Sequence, residues 1–181
     1  MEELHTIKLS SIIDKFNLET LYIPDLPENI LIECTRVNRP GLQIAGYYDY
    51  YEHERLQIIG KMESQYIMTL SEEERAEKLD KFFASKPAGV IYTTSLPVFD
   101  DIIECAERYD VPLLRTTEKT SDFMAALIAY LNVELGPRIT RHGVLVEVYG
   151  EGILLIGDSG IGKSEAAVEL LKRGHRLIAD D

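Results

Sequence analysis

Hydrophobic residues along the first 135 positions follow two spacings, one typical of helices and the other of buried strands. Short apolar runs rich in β-branched residues predict strands at Leu21–Ile23, Ile30–Glu33, Leu56–Ile59, Ala88–Tyr92 and Val111–Leu114. Apolar residues at helical spacing lie between and around these runs. Because strands alternate with helices of this length, the pattern predicts an α/β fold with a mostly parallel sheet.

Helix boundaries are predicted from capping residues. Ser71 followed by Glu74 forms a capping box, which predicts a helix that continues to about Ala84. Pro97 suits the start of the next helix, and Thr120 is expected to cap the one after it. The apolar stripes of three of the predicted helices are Ile7, Ile12, Ile13 and Phe16, then Ile102, Ala106 and Tyr109, then Phe123, Leu127, Ile128 and Leu131.

The pattern changes at Gly136-Pro137, which interrupts the last of these helices. We therefore expect a first α/β domain of regulatory type at 1–135 and a second domain at 136–181. The elements predicted in the second domain are a strand at Val144–Tyr149, a turn at Gly150–Gly152, a strand at Ile153–Ile156, a helix at about 162–173 that stops at Gly174, and a strand at Leu177–Ala179.

Composition excludes several classes of protein. The chain carries 19 basic and 31 acidic side chains, a net charge of −12, which disfavours a general binder of nucleic acid or of anionic membranes. No segment resembles a membrane span, and charges interrupt the N-terminal stretch where a signal peptide is apolar, so we expect a cytoplasmic protein. The two cysteines, Cys34 and Cys105, are expected to be buried thiols rather than a disulfide or a zinc site.

The motif that points to chemistry lies between the second domain's second strand and its helix. It consists of Gly157, Asp158, Ser159, Gly160, Ile161, Gly162, Lys163 and Ser164, and it fits the phosphate-binding P-loop pattern G-x-x-x-x-G-K-[ST]. Glycines let the backbone turn its N–H groups toward phosphate oxygens, and the helix that follows adds its positive end. Lys163 is expected to contact the β- and γ-phosphates, while the Ser164 hydroxyl is expected to bind Mg²⁺.

Two stretches of the sequence carry a resemblance that is more specific than the P-loop pattern. Residues 141–181 closely resemble the start of the catalytic domain of bacterial HPr kinase/phosphorylase, and residues 38–64 look like part of that family's N-terminal domain. The resemblance implies a bifunctional kinase that phosphorylates a serine of the phosphocarrier protein HPr with ATP or pyrophosphate and Mg²⁺. It also implies removal of that phosphate by inorganic phosphate, which releases pyrophosphate. Members of the family are homohexamers that respond to fructose 1,6-bisphosphate and serve carbon catabolite control.

The resemblance also implies an active site made of His142, Lys163 and Asp181, with Ser164 as a magnesium ligand. Asp181 is expected to accept the proton of the attacking serine and to return it in the reverse reaction. From the residues alone, His142 could equally be a structural histidine. Asp180 could bind the metal or cap its strand, and it is not assigned to the catalytic set. Glu165 could assist the metal or remain a solvated carboxylate.

The resemblance implies a catalytic domain that continues past residue 181, so we expect these 181 residues alone to lack efficient kinase activity. The fold expected for 136–181 is the first strands and P-loop helix of a truncated P-loop kinase domain. Two other functions remain open from the residues themselves. One is a small P-loop ATPase or GTPase, because a P-loop does not specify the reaction. The other is a non-catalytic α/β module that binds an effector or a partner.

Overall fold

Strands and helices alternate along the chain, which confirms the predicted α/β fold class. The structure is a computed structural model, and it describes residues 5–137 and 142–180. The chain divides into a first unit, Met1–Pro137, and a second unit, Arg138–Asp181. The helices are α1 (Leu9–Phe16), α2 (Gly41–Ala45), α3 (Lys61–Thr69), α4 (Glu72–Ala84), α5 (Asp100–Tyr109), α6 (Thr120–Glu134) and α7 (Lys163–Lys172). The strands are β1 (Ile7–Lys8), β2 (Glu19–Tyr22), β3 (Leu31–Ile32), β4 (Val37–Asn38), β5 (Leu56–Ile59), β6 (Gly89–Tyr92), β7 (Leu113–Arg115), β8 (Gly143–Val148), β9 (Glu151–Ile156) and β10 (Arg176–Ala179).

A five-stranded sheet in the order β2-β7-β6-β5-β4 forms the centre of the first unit. Strands β4 to β7 pair in parallel, and β2 adds to the β7 edge in antiparallel orientation. The sheet is therefore mostly parallel, as predicted. Because these four strands run in the same direction, the carboxyl ends of β4, β5, β6 and β7 lie at one edge of the sheet.

Both faces of this sheet are covered by helices. One hydrophobic cluster joins Ile59 and Tyr92 of the strands to α2, α3, α4 and α5. A second cluster joins Ile58 and Ile91, which are their alternating neighbours, to α1 and α6. Successive side chains of a strand point to opposite faces, so the fully apolar runs at β5 and β6 supply both clusters.

Helix α4 follows the sequence prediction closely. The Ser71 hydroxyl accepts the Glu74 amide at 3.2 Å, and the Ser71 amide donates to the Glu74 carboxylate at 3.1 Å, which completes the capping box. The bond from the Ser71 amide, and a second from the Ser71 hydroxyl at 3.1 Å, stabilise the Glu74 carboxylate and hold its pKa below the usual value of 4.5. Local hydrogen bonding thus explains why the helix begins where the sequence predicts.

Other boundaries differ from the prediction. Helix α5 begins at Asp100 rather than Pro97, because the chain is still extended at Phe99. Thr120 is the first residue of α6 rather than its cap, and its hydroxyl instead bonds the Thr93 hydroxyl at 2.7 Å. Ile7 lies in β1, so its inclusion in the first helical stripe was wrong. Helices α2 and α3 were not predicted, since neither has a Ser, Thr, Asp or Asn cap.

The second unit has its own sheet. Strand β8 pairs in antiparallel orientation with β9 on one side and with β10 on the other, and α7 packs on β8. The β8–β9 turn is formed by Tyr149 and Gly150, both at positive φ, so the predicted turn at Gly150–Gly152 was displaced. Among residues 142–180 the buried apolar side chains are Val144, Val146 and Ala167.

Two further expectations concern burial. Cys105 is buried in the first cluster, as expected, whereas Cys34 is only half-buried, so the expectation of two buried thiols was wrong for Cys34. Among the helices described, none combines the length and the apolar character that crossing a bilayer requires.

Candidate nucleotide-phosphate site

The P-loop follows β9, which ends at Ile156, and its last two residues, Lys163 and Ser164, are the first two residues of α7. Gly160 and Gly162 take φ values of 82° and 96°, a region that favours glycine because it has no Cβ. The Ile161 amide donates to the Asp158 carbonyl oxygen at 3.3 Å and closes a turn within the loop. A strand, a glycine-rich turn and a helix therefore follow one another, which is the arrangement that a P-loop requires.

Lys163 lies at the first position of α7 and reaches back over the loop. Its Nζ donates to the carbonyl oxygens of Gly157 at 2.7 Å and Asp158 at 3.0 Å. Both acceptors are neutral, so an anionic phosphate oxygen would add a charge–charge attraction that the carbonyl oxygens lack. The ammonium group is thus held beside the loop by partners that a phosphate would outcompete.

A cavity of about 260 Å³ opens on this loop. It is bordered by the loop, by the start of β8 and by the residue that follows β10; its lining residues are Gly143, Val144, Ser159, Gly160, Gly162, Lys163, Ser164, Glu165 and Asp180. The first amides of α7 have no partner within the helix, so the cavity meets the positive helix end. This arrangement can bind an anion of the size of a phosphate group.

Some of the predicted site residues do not line this cavity. Among the predicted P-loop residues, Gly157, Asp158 and Ile161 are not part of the cavity lining. His142 is exposed and directly precedes Gly143, which does line the cavity. The predicted catalytic base Asp181 lies outside the described residues.

Asp180 was not assigned to the catalytic set, yet it borders the same cavity as Ser164 and Glu165. The sequence showed only that Asp180 follows a predicted strand; the pairing of β10 with β8 brings that strand end to the P-loop. Among the described residues no group of three or more His, Cys, Asp or Glu side chains is arranged to hold a metal. Mg²⁺ does not need such a group, because it commonly binds one or two carboxylates together with phosphate oxygens and water. The hydroxyl and two carboxylates at this cavity therefore fit Mg²⁺ better than a transition metal.

Comparison with protein families adds an independent finding. Residues 7–131 match the family model described as HPr Serine kinase N terminus, and residues 133–181 match the HPr Serine kinase C-terminal domain. A protein named HPr kinase/phosphorylase from Caldanaerobacter subterraneus is 48% identical over 180 residues, which are 98% of this chain and 58% of that protein. A protein of the same name from Lachnoclostridium phytofermentans is 45% identical over 179 residues, again 98% of this chain and 58% of its length. The chain thus spans a little over half the length of these relatives.

A solved structure resembles the chain in fold alone. It contains the CBS and DRTGG domains of the regulatory region of Clostridium perfringens pyrophosphatase, complexed with its activator, diadenosine tetraphosphate. The TM-score is 0.50 at 18% sequence identity, and the match covers 72% of this chain and 50% of that one.

Proposed function

Since the chain belongs to the HPr serine kinase family, we propose that the whole protein transfers a phosphoryl group from ATP or pyrophosphate to a serine of HPr. We further propose that it reverses this step with inorganic phosphate, and that the two reactions serve carbon catabolite control. One observation carries the proposal: the P-loop cavity combines loop amides, a lysine and oxygen ligands. A family match that extends over both units supports it.

Phosphate binding is proposed for the loop Gly157–Ser164. Its amides and the α7 N-terminus would orient the donor's phosphates, and Lys163 would exchange its two carbonyl partners for phosphate oxygens. A lysine fixed beside the transferring group stabilises charge that develops in the transition state. This role is available in both directions, since the same phosphoryl group moves each time.

Mg²⁺ is the proposed metal, and Ser164 its protein ligand, with Asp180 or Glu165 nearby. Bound there together with phosphate oxygens, the ion would neutralise negative charge on the polyphosphate. Ser164 is the second residue of α7, so the helix determines where its hydroxyl lies relative to the loop.

Proton transfer is proposed for Asp181, with His142 close to the phosphates. Asp181 follows Asp180, a residue of the cavity lining, and His142 precedes Gly143, another residue of that lining. A carboxylate at Asp181 would accept the serine proton during attack on the donor's terminal phosphate. In reverse, the protonated Asp181 would donate that proton to the departing serine oxygen while inorganic phosphate attacks, so the O–P bond to serine breaks and pyrophosphate forms. The imidazole of His142 can change charge near neutral pH and so influence which direction is favoured.

The remaining proposals concern partners and location. We propose HPr as the protein substrate, a cytoplasmic location in line with the acidic composition and the free thiols, and a regulatory role for the first unit. A homohexamer that responds to fructose 1,6-bisphosphate is the assembly that the family resemblance implies.

The test uses the whole protein, purified HPr and γ-³²P-labelled ATP with Mg²⁺. We expect label on HPr, none on an HPr variant whose accepting serine is alanine, and loss of at least 100-fold in rate for Lys163→Met, as for removal of other transition-state charge partners. Lys172→Met, which changes a lysine at the other end of α7, is the matched control and should retain the rate. Label that appears only as free phosphate would support a P-loop ATPase and contradict the proposal.

A further inference from the structure

A second cavity lies in the first unit, at the carboxyl ends of its parallel strands. It has a volume of about 470 Å³ and is unrelated to the P-loop. Arg39 follows β4, Lys61 follows β5, Thr94 follows β6, and Lys119 and Thr120 come from the connection after β7; all five line it. Open α/β sheets bind ligands at this edge, and a cavity of this volume lies in the range that holds small molecules.

The cavity also lies where the helices change sides. Helix α5, which follows β6, packs in the cluster on one face of the sheet, whereas α6, which follows β7, packs in the cluster on the other face. The cavity lies between the first turns of α3 and α6, which also pack on opposite faces of the sheet. The loops after β6 and β7 stay joined, because the Thr94 amide donates to the Glu118 carbonyl oxygen at 2.8 Å.

The charge of the cavity is opposite to that of the protein. Its lining contains the cations of Arg39, Lys61 and Lys119 and one carboxylate, Asp122, so its formal charge is 3 − 1 = +2. The whole chain has a net charge of −12. A positively charged crevice on an acidic protein concentrates anions locally, which the overall composition would not suggest.

Two helices begin at this cavity, and neither cap residue has a side-chain acceptor, although the Glu63 carboxylate accepts the Gly60 amide at the start of α3 at 3.0 Å. The cap positions are Gly60 for α3 and Lys119 for α6, and neither residue supplies a side-chain acceptor for the first amides of its helix. Those amides have no partner inside the helix, and the macrodipole adds partial positive charge at each terminus. An anionic ligand would satisfy these amides, in the way that a Ser or Asp cap does elsewhere.

Buried groups hold the lining in position. The Nη2 of Arg39 donates to the Glu63 carboxylate at 2.6 Å, and Glu63 is only 6% exposed. The hydroxyl of Thr120 bonds that of Thr93 at 2.7 Å, and Thr93 is fully buried. The Nε of Arg39 is buried and has no hydrogen-bond partner within the described part of the chain, although a buried unpaired donor costs about 1–3 kcal/mol.

We propose that this cavity is a binding site for a small molecule that carries a phosphate group. The two lysine cations and the two helix termini match a doubly charged anion such as a phosphate group, whereas Arg39 is already paired with the Glu63 carboxylate. Lys61, Lys119 and the helix amides bind the phosphate oxygens, and the hydroxyls of Thr94 and Ser121 complete the contacts. The rest of the cavity, next to Met62, accommodates the organic part of the ligand. The site is independent of the proposed kinase function, since it shares no residue with the P-loop.

The test is an NMR titration of the ¹⁵N-labelled 181-residue chain that carries Lys163→Met, which weakens phosphate binding at the P-loop. The probes are glycerol 3-phosphate and inorganic pyrophosphate, with glycerol as the uncharged control. We expect saturable shifts of the amides of Lys61, Met62, Thr120 and Ser121 with the phosphates, and none with glycerol. Absence of saturation at these amides, or shifts confined to residues 157–165, would overturn the proposal.

Variants then test the charges. Lys61→Met and Lys119→Met should each weaken phosphate binding by about tenfold, the loss of one charge-assisted contact. Lys86→Met is the matched control, because Lys86 is exposed in the same unit and does not line the cavity; it should bind as the parent does. The dispersion of the remaining amide signals reports whether each variant is folded. Equal affinity of all three variants would mean that the titrated shifts are unspecific, and the proposal would fail.

Discussion

Replacement of Gly60 by alanine should destabilise the first unit, because Gly60 is the cap residue of α3, where glycine is preferred to alanine, and because its surroundings leave little room for a Cβ. A Cβ on Gly60 would lie 2.8 Å from the Thr120 hydroxyl oxygen and 2.9 Å from Nη2 of Arg39. Real Cβ atoms do not approach that closely, so both groups would have to move. Each is held in place, Thr120 by the Thr93 hydroxyl and Arg39 by the Glu63 carboxylate.

The magnitude follows from three contributions. Overpacking a well-ordered site costs about 1–3 kcal/mol. If Thr120 rotates away, its hydrogen bond to Thr93 is lost, which costs about 1 kcal/mol. Alanine lowers the conformational entropy of the unfolded chain relative to glycine, and this offsets the loss of stability by about 0.4–1 kcal/mol. The free energy of unfolding should therefore fall by about 1–3.5 kcal/mol.

Gly41→Ala is the matched control. Gly41 begins α2, and a Cβ there would meet its nearest neighbour, the Glu63 carboxylate, at an ordinary 3.6 Å. This variant should be neutral or more stable by up to about 1 kcal/mol. Urea unfolding followed by tyrosine fluorescence suits the measurement, because all of the 10 tyrosines except Tyr149 lie in the first unit and there is no tryptophan.

A double variant identifies the cause of the effect. Thr120→Ala removes the hydroxyl that the new Cβ would meet, so Gly60→Ala combined with Thr120→Ala should be more stable than the sum of the two single effects. Strict additivity would mean that contact with Thr120 does not cause the loss. A Gly60→Ala variant as stable as Gly41→Ala would refute the reasoning altogether.

The other predictions concern a helix cap, a tyrosine and the metal ligand. Ser71→Ala should cost about 1 kcal/mol at pH 7, and less at pH 3 in urea unfolding, because the lowered pKa of Glu74 contributes stability above pH 4.5 that is lost in acid; an equal cost at both pH values would contradict this. Burial raises the pKa of Tyr48 from 10 to about 12, so its neutral form stabilises the fold below pH 10 and this contribution is lost between pH 10 and 12. Tyr48→Phe should therefore flatten the alkaline loss of stability, whereas Tyr50→Phe, whose side chain is 99% exposed, should leave the pH profile unchanged. In the whole protein, Ser164→Ala should raise the Mg²⁺ concentration needed for half-maximal phosphorylation of HPr by about tenfold, and Ser164→Thr, which keeps the hydroxyl, should not.

The relation between sequence and fold differs from one element to the next. Helix α4 has the bounds that its capping box and apolar spacing predict, because both signals act within a few residues. Helices α2 and α3 could not be predicted in this way, because Pro40 and Gly60 occupy their cap positions. Their stability comes from packing on the sheet. The turn after β8 also depends on backbone conformation, with Tyr149 in a region that its type rarely adopts.

The P-loop could be recognised from the sequence alone, because its eight residues are contiguous and their spacing reflects how a backbone surrounds phosphate. Tertiary structure decided what else borders that loop: Gly143 and Asp180 reach it only because β9 and β10 both pair with β8.

The cavity of the first unit depends still more on tertiary structure. Arg39, Lys61, Thr94 and Lys119 are spread over 80 positions, and no local pattern links them. The parallel register of β4 to β7 brings them to one edge, and a glycine at position 60 leaves room for Arg39 and Thr120 to approach each other. Local hydrogen bonds and side-chain periodicity can be read along a chain, whereas contacts between distant residues exist only once the sheet has formed.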